Sequence, residues 1–150
     1  MDSGAGIVRD RRGANVARQV ARGVGLLLRD LDADCLFEFT LRTGRRVDAI
    51  GLDRSGTFII VEIKSSVADF RSDVKWREYT QFCDRFYFAV PMEFPAEILP
   101  EECGLIRADG YGGAIHREAP LAAMNAARRR ALTLRFARVA ATRLTRSNGQ

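Results

Sequence analysis

Residues 35–64 read CLFEFTLRTGRRVDAIGLDRSGTFIIVEIK, and this stretch decides the fold. It contains three segments of alternating apolar and polar residues or of β-branched and aromatic residues, which are typical of strands. Two short segments that end in Gly, 42–44 and 54–56, separate them. Such segments favour three-residue hairpin loops with Gly in the left-handed position. The stretch therefore predicts three antiparallel strands at 35–41, 45–51 and 57–64.

These loop lengths determine which residues face one another. Residue numbers keep a constant sum along an antiparallel pair, so loops of three residues place Glu38 opposite Asp48 and Asp48 opposite Glu62. The three carboxylates then lie side by side on one face of the sheet. Lys64 follows two residues after Glu62, so its side chain joins that face. The opposite face is expected to form a core from Cys35, Phe37, Phe39, Val47, Ala49, Ile59, Val61 and Ile63.

The row of acidic side chains predicts a cation site. Opposed like charges in a sheet are destabilising, so adjacent carboxylates need raised pKa values or a bound cation. Oxygen ligands favour Mg²⁺ or Mn²⁺. The alternative is an ordinary charged surface, and that interpretation suffices for Glu38 or Asp48 taken alone. The combination of Asp48 with Glu62 and Lys64 favours a site, and Lys64 is one of only two lysines beside 22 arginines.

The rest of the chain predicts helices and further strands around this sheet. A capping-box pattern at Ser66 to Asp69 begins a helix. The order α-β-β-β-α-β predicts an α/β fold with a mixed central sheet, a parallel crossover and flanking helices. The further elements are helices at 14–31, 66–83 and 121–144 and strands at 85–90, 105–108 and 113–117.

Length and composition predict one globular domain over residues 1–150, with flexible ends at 1–13 and 145–150. Hydrophobic residues make up 47% of the chain and charged residues 29%, which is ordinary for such a domain. The sequence has no apolar run of membrane-spanning length and no apolar signal region at its start, so we expect a cytoplasmic protein without membrane attachment. Three scattered cysteines and one histidine argue against a disulfide framework and a zinc finger.

Charge is unevenly distributed along the chain. Residues 1–31 carry six Arg and three Asp, residues 32–120 carry 11 basic and 16 acidic residues, and residues 121–150 carry seven Arg and no acid. An acidic middle between basic ends is typical of a cation site flanked by surfaces that attract polyanions. A basic helix with a solvated face explains the C-terminal charge equally well. The DNA-contact candidates are Lys75, Arg128, Arg129, Arg130, Arg135 and Arg138.

The site residues resemble the signature of the PD-(D/E)XK nuclease superfamily. That signature is an Asp on one strand and then, on the next, Glu or Asp, any residue and Lys. Here these residues are Asp48, Glu62, Ile63 and Lys64. The longer sequence is similar to that of the MmcB-like DNA repair proteins of bacteria. The stretches that carry this similarity are GRRVD (44–48), IVEIKSS (60–66), DFRSD (69–73), KW (75–76), CDRFYFAV (83–90) and GLI (104–106).

The resemblance implies a restriction-endonuclease-like αβββαβ core and a metal-dependent nuclease that hydrolyses phosphodiester bonds of DNA during repair. It implies that Asp48, Glu62 and the Ile63 carbonyl oxygen bind Mg²⁺ or Mn²⁺ and that Lys64 is catalytic. No organic cofactor is expected. It also implies association with the nucleoid, and it leaves a homodimer open.

The sequence departs from the superfamily pattern at two places. Val47 stands where the pattern has Pro. Many members of the superfamily also have an acidic residue in the first helix, whereas the only acid of the first predicted helix here is Asp30, near its end. Glu38 on the first strand is therefore a candidate to replace that acidic ligand. Two further interpretations stay open beside the nuclease: a non-catalytic module that binds DNA on a nuclease fold, and an interaction protein that binds no nucleic acid.

Overall fold

The computed structural model describes residues 3–149, with side chains from residue 11 onwards. Within these residues six strands form one sheet in chain order. The long elements are α1 (Ser3–Asp30), β1 (Ala33–Thr40), β2 (Arg46–Asp53), β3 (Phe58–Ile63), β4 (Arg85–Val90), β5 (Gly104–Asp109), β6 (Gly112–Arg117) and α4 (Ala126–Asn148). The short helices are α2 (Val67–Ser72) and α3 (Trp76–Tyr79), with 3₁₀ turns at Thr80–Phe82 and Ala96–Ile98.

The sheet is mixed, as the sequence predicted. Strands β1, β2 and β3 pair antiparallel, β3 pairs parallel with β4 and β4 with β5, and β6 returns antiparallel. The parallel pairing of β3 and β4 is possible because α2 and α3 cross between them. Helices flank both faces, α1 on one side and α3 and α4 on the other.

The two hairpin loops have the predicted conformation. Gly44 has φ +90° and Gly56 has φ +83°, a region that only glycine adopts without strain. The Leu41 amide donates to the Arg45 carbonyl, and the Asp53 amide donates to the Thr57 carbonyl. Strand pairs on both sides keep the expected register. The prediction of strand alignment from loop length is therefore confirmed.

The sequence predicted that only one face of strands β1, β2 and β3 would pack in a core. This prediction is wrong, because both faces of these strands are buried. Phe39 and Val47 pack on the α4 side, whereas Ala49 and Val61 pack on the α1 side. The side-chain alternation changes at Glu38, whose φ of +49° is not that of a strand residue. Register is the same before and after this position, so the irregularity inserts no residue. The irregularity changes the face of the sheet to which side chains of β1 and β2 point, and Asp48 lies at this position.

All three predicted helices differ in their limits. The helix predicted over 66–83 is broken after α2, because the Asp73 carboxylate accepts a hydrogen bond from the Lys75 amide and turns the chain. Helix α4 begins only after Asn125, whose side chain accepts from the Arg128 amide. The preceding residues lie outside the helix, where the Ala122 and Met124 amides donate to the Asp84 carbonyl and carboxylate.

Helix α1 begins earlier than predicted, at Ser3, and α4 continues to Asn148. The segments expected to be flexible are thus helical over 3–13 and 145–148, while positions 1, 2 and 150 lie outside the described residues. No helix in the described part of the chain is long and apolar enough to cross a bilayer.

A glycine fixes the course of α1 across the sheet. A Cβ at Gly23 would lie 2.3 Å from the Asp109 carbonyl oxygen and 2.4 Å from that of Gly112. Only Gly allows this approach of the helix to the turn between β5 and β6. The other half of α1 then passes over the ends of β2 and β3, where Gly13 lies near Ser65.

Candidate functional site

Asp48 and Glu62 meet where β2 and β3 separate. The regular pairing of these strands ends at Ala49 and Val61. Beyond it, the Asp48 amide donates to Glu62 Oε1 at 2.9 Å, and the Ile63 amide donates to Asp48 Oδ2 at 2.7 Å. Each carboxylate thus replaces a backbone acceptor that the separated strands no longer supply. The predicted juxtaposition of these two acids is present.

The two carboxylates lie at a cleft of about 460 Å³. Helix α1 forms one wall, the irregular part of β1 forms another, and the ends of β2 and β3 form the floor. Glu62 is 5% exposed to solvent, so its charge is largely removed from water. The lining residues are Ala17, Arg18, Ala21, Phe37, Glu38, Asp48, Glu62, Ile63, Lys64 and Asp69.

The environment disfavours two negative charges at this point. Burial raises the pKa of Glu62 to about 8, and the neighbouring Asp48 adds to this shift. Burial also raises the pKa of Asp48, against the hydrogen bond from the Ile63 amide. Without a cation, the pair therefore retains a proton near neutral pH. A divalent cation would remove this penalty by compensating both charges.

The donor set fits a hard divalent cation. Asp48 Oδ2 and Glu62 Oε1 each accept a backbone amide, which leaves one oxygen of each carboxylate without a backbone partner. Ile63 lines the same cleft, so its carbonyl oxygen stays a predicted third ligand. Oxygen ligands of this kind suit Mg²⁺ or Mn²⁺. The described residues contain no ready-made cluster of three or more His, Cys, Asp or Glu ligands.

Glu38 lines the cleft but is not paired with Asp48. Its side chain is exposed, and the pair is missing from the ladder although the pairs on both sides keep the register. The Phe37 and Glu38 carbonyls instead accept hydrogen bonds from Arg143 of α4. Glu38 as an acidic metal ligand therefore stays a prediction, and it would need its side chain to turn towards Asp48.

Lys64 is held by a partner that the sequence analysis did not identify. Its Nζ donates to Asp73 Oδ2 at 2.6 Å, and both side chains are largely buried. Burial by itself would raise the pKa of Asp73, but the hydrogen bonds from Lys64 Nζ and the Lys75 amide lower it. Asp73 thus stays ionised and holds the ammonium beside the two acids. The one feature of the sequence that could have drawn attention to Asp73 is its position just before the break between two helices.

Tyr79 and Trp76 belong to the core. Both side chains are buried, and Trp76 packs on Phe86 and Phe88. Burial raises the pKa of Tyr79 to about 12, and the charges of Glu62 and Asp73 contribute. Its phenol therefore stays protonated behind the acidic pair.

The raised pKa of Glu62 predicts a pH dependence of stability. In EDTA, we expect the free energy of unfolding to fall as pH rises from about 4.5 to about 8. Over this range the folded protein binds more protons than the unfolded chain, so raising the pH favours unfolding. The carboxyl groups with lowered pKa, Asp73 and Asp84, titrate below this range.

Urea titrations across this pH range measure the effect. The Glu62→Gln variant is the control, because it removes one of the two carboxyl groups with a raised pKa and should make the fall less steep. An equally steep fall in that variant would contradict the assignment to Glu62.

The arginines proposed for DNA contact divide into two groups. Arg130 and Arg138 are exposed and have no hydrogen-bond partner in the described chain. Arg128 donates to the Gln81 carbonyl and lies over the Phe82 ring. Arg135 donates to the Thr40 carbonyl. Lys75 is exposed at the start of α3 and does not line the cleft.

Arg129 is engaged within the fold. Its guanidinium contacts both oxygens of Asp84, a carboxylate that is 2% exposed, and donates to the Gly56 carbonyl. The Phe58 and Met124 amides also donate to that carboxylate. This network ties α4 to the loop before β3, so we leave Arg129 out of the proposed DNA contact.

Arg129→Ala is therefore expected to destabilise the protein by about 3–5 kcal/mol, because it leaves a buried carboxylate without its counter-charge. Arg130→Ala is the matched control in the same turn of α4. That exposed substitution should change stability by less than about 0.5 kcal/mol. Urea denaturation of both variants measures the difference, and equal stabilities would disprove the role of the ion pair.

Two further arginines at the cleft were not singled out from the sequence. Arg18 lines it from α1, and Arg143 supports its β1 wall. Both stand in a chain with 22 arginines, so residue type carried no signal. Only the packing of α1 and α4 against the sheet shows their position.

Comparison with known proteins agrees with the similarity found in the sequence. A family model described as DNA repair protein MmcB-like matches residues 5–150. The solved structure of a protein of unknown function from Silicibacter pomeroyi has a TM-score of 0.82 and 46% sequence identity, and the match covers 86% of this chain and 88% of that one. No curated protein matches the chain. Because the family model spans nearly all of the sequence, the chain belongs to the family of MmcB-like DNA repair proteins.

Proposed function

We propose that this protein is a Mg²⁺- or Mn²⁺-dependent deoxyribonuclease with a restriction-endonuclease-like core of the PD-(D/E)XK superfamily. One observation carries the proposal. Where two strands separate, the Asp48 amide donates to the Glu62 carboxylate and the Ile63 amide donates to the Asp48 carboxylate. Lys64 lies two residues beyond Glu62. Family membership indicates a role in DNA repair, which makes DNA the proposed substrate.

The proposed roles follow from the charge of each group. Asp48 and Glu62 would hold the cation, together with the Ile63 carbonyl. A cation held there would supply Lewis acidity for hydrolysis of the phosphodiester bond by water. Lys64 orients that water or stabilises the charge that develops on the phosphate.

Asp73 has a positioning role in this scheme. It keeps the Lys64 side chain in one direction through a contact of 2.6 Å. The ammonium that this ion pair holds is the hydrogen-bond donor that a developing negative charge on the phosphate requires. Arg18, on the α1 wall of the cleft, is placed to contact a neighbouring phosphate.

A cleavage assay tests the proposal directly. Labelled single-stranded, duplex and branched DNA are incubated with the purified protein in Mg²⁺, in Mn²⁺ and in EDTA. We expect products with either cation and none in EDTA. Binding without cleavage on all three substrates would instead identify a non-catalytic DNA-binding module. The assay also shows which DNA structure is preferred.

Two remaining expectations accompany this function. A DNA substrate would place the protein at the nucleoid. The homodimer that the superfamily resemblance leaves open stays a prediction, which sedimentation velocity of the purified protein tests.

A further inference from the structure

The second half of α4 carries a groove of about 450 Å³ lined by four arginines. These are Arg135, Arg138, Arg143 and Arg146. Spacings of three, five and three residues place them along one side of the helix. At 1.5 Å per residue, they extend over roughly 16 Å. Helix α4 contains no acidic residue, so nothing on the helix itself neutralises this surface.

Two of the four guanidinium groups are fixed in place by the edge strand. Arg135 donates to the Thr40 carbonyl at 2.7 Å, and Arg143 donates to the carbonyls of Phe37 and Glu38 at 2.6 and 2.8 Å. A solvated basic helix would leave such side chains free. Arg138 and Arg146, by contrast, are exposed and have no hydrogen-bond partner in the described chain. The groove thus has two ordered cations and two that are available to a ligand.

The groove and the candidate active site both adjoin the edge strand β1. Phe37 and Glu38, which Arg143 holds through their carbonyls, also line the cleft that contains Asp48 and Glu62. Arg18 lies on the opposite wall of that cleft. Basic groups therefore border the acidic pair on the α1 side and continue from the β1 side along α4.

We propose that this groove binds the backbone phosphates of the DNA strand whose scissile bond lies in the cleft. The proposal rests on DNA being the substrate of the proposed function, and it names where the strand continues outside the cleft. A phosphodiester backbone is the polyanion that four arginines in a row match in charge. Since one strand rises about 3.4 Å per nucleotide, the groove accommodates about five nucleotides.

This assignment separates the arginines of α4 by role. Near the beginning of the helix, Arg128 and Arg129 make contacts within the fold, as Arg129 does with Asp84. The four arginines of the groove contact DNA. Arg138 and Arg146 are the residues to test, because their replacement breaks no side-chain hydrogen bond or ion pair within the described protein.

The experiment compares two double variants with equal loss of charge. Arg138→Gln/Arg146→Gln alters the groove, whereas Arg29→Gln/Arg54→Gln removes two exposed arginines that lie outside both the groove and the cleft. Fluorescence anisotropy with a labelled oligonucleotide, single-stranded and duplex, measures binding in EDTA over a series of salt concentrations. Thermal unfolding shows that both variants are folded.

We expect the groove variant to bind at least about tenfold more weakly at low salt, with the control within about twofold of the wild type. The slope of log K against log salt should fall by roughly 1.5, since two phosphate contacts are lost. Equal weakening in both variants would show a general charge effect and overturn the proposal. So would unchanged binding by the groove variant.

The outcome is independent of catalysis. If the groove variant binds weakly but the wild type cleaves nothing in Mg²⁺, the groove stands and the nuclease function fails. If the wild type cleaves DNA and the groove variant binds it normally, the nuclease function stands and the groove proposal fails. Sedimentation velocity tests whether a second copy of the protein occupies the groove instead. A wild-type dimer that dissociates in the groove variant would identify this surface as an interface between two copies and overturn the DNA assignment.

Discussion

Asp48→Asn is expected to lower Mg²⁺-dependent DNA cleavage by about 10³-fold or more, since it removes a charged ligand worth several kcal/mol of transition-state stabilisation. The fold should persist, because an Asn side chain still offers an oxygen to the Ile63 amide at the place where Asp48 Oδ2 accepts. Gel assays of the wild type and the variant measure the cleavage rates.

A second measurement separates metal binding from chemistry. Mg²⁺ that binds the folded protein raises its melting temperature, and Asp48→Asn should lose this rise. Asp34→Asn is the matched control, since Asp34 is an exposed carboxylate of β1 outside the cleft. Wild-type cleavage by a folded Asp48→Asn protein would remove Asp48 from the site.

Lys64→Met is expected to reduce cleavage by about 10²–10³-fold while Mg²⁺ still raises the melting temperature. The Met side chain fills the volume of the buried lysine but cannot donate a hydrogen bond. The variant leaves the largely buried Asp73 carboxylate without its ion-pair partner, which should destabilise it by about 3–5 kcal/mol. Activity and stability therefore both fall, and the two effects need to be separated.

The double variant Lys64→Met/Asp73→Asn separates them. It removes both charges of the pair, so most of the lost stability should return. Cleavage should stay as low as in Lys64→Met, because the ammonium is still missing. Lys75→Met, at the exposed second lysine, is the control for lysine loss. If the double variant recovered cleavage together with stability, Lys64 would contribute to activity only by stabilising the folded protein.

The alignment of the two acids could be predicted from local sequence. The loops that end in Gly44 and Gly56 have few conformations open to them, and each determines its own hairpin. Antiparallel pairing then transmits the register along the strands, which brings Asp48 to Glu62 across 14 residues. The limits of the later elements were less predictable, since α2 ends at an Asx turn and α4 begins at Asn125.

Burial of the site could not be predicted in this way. The sequence pattern indicated one apolar face, but Phe39 and Val47 changed sides at Glu38. The backbone there is held from α4 by Arg143, 105 residues further along the chain. A contact over that distance leaves no mark in the alternation of neighbouring residues.

By itself, then, the sequence determined the strands, their register and the pairing of Asp48 with Glu62, because turn geometry and pleat are local properties of the chain. Tertiary structure alone decided that Asp73 holds Lys64, that Arg129 serves the fold, and that Arg143 joins α4 to the cleft. These contacts arise from how helices pack on the sheet, where burial and charge select partners irrespective of their separation in sequence.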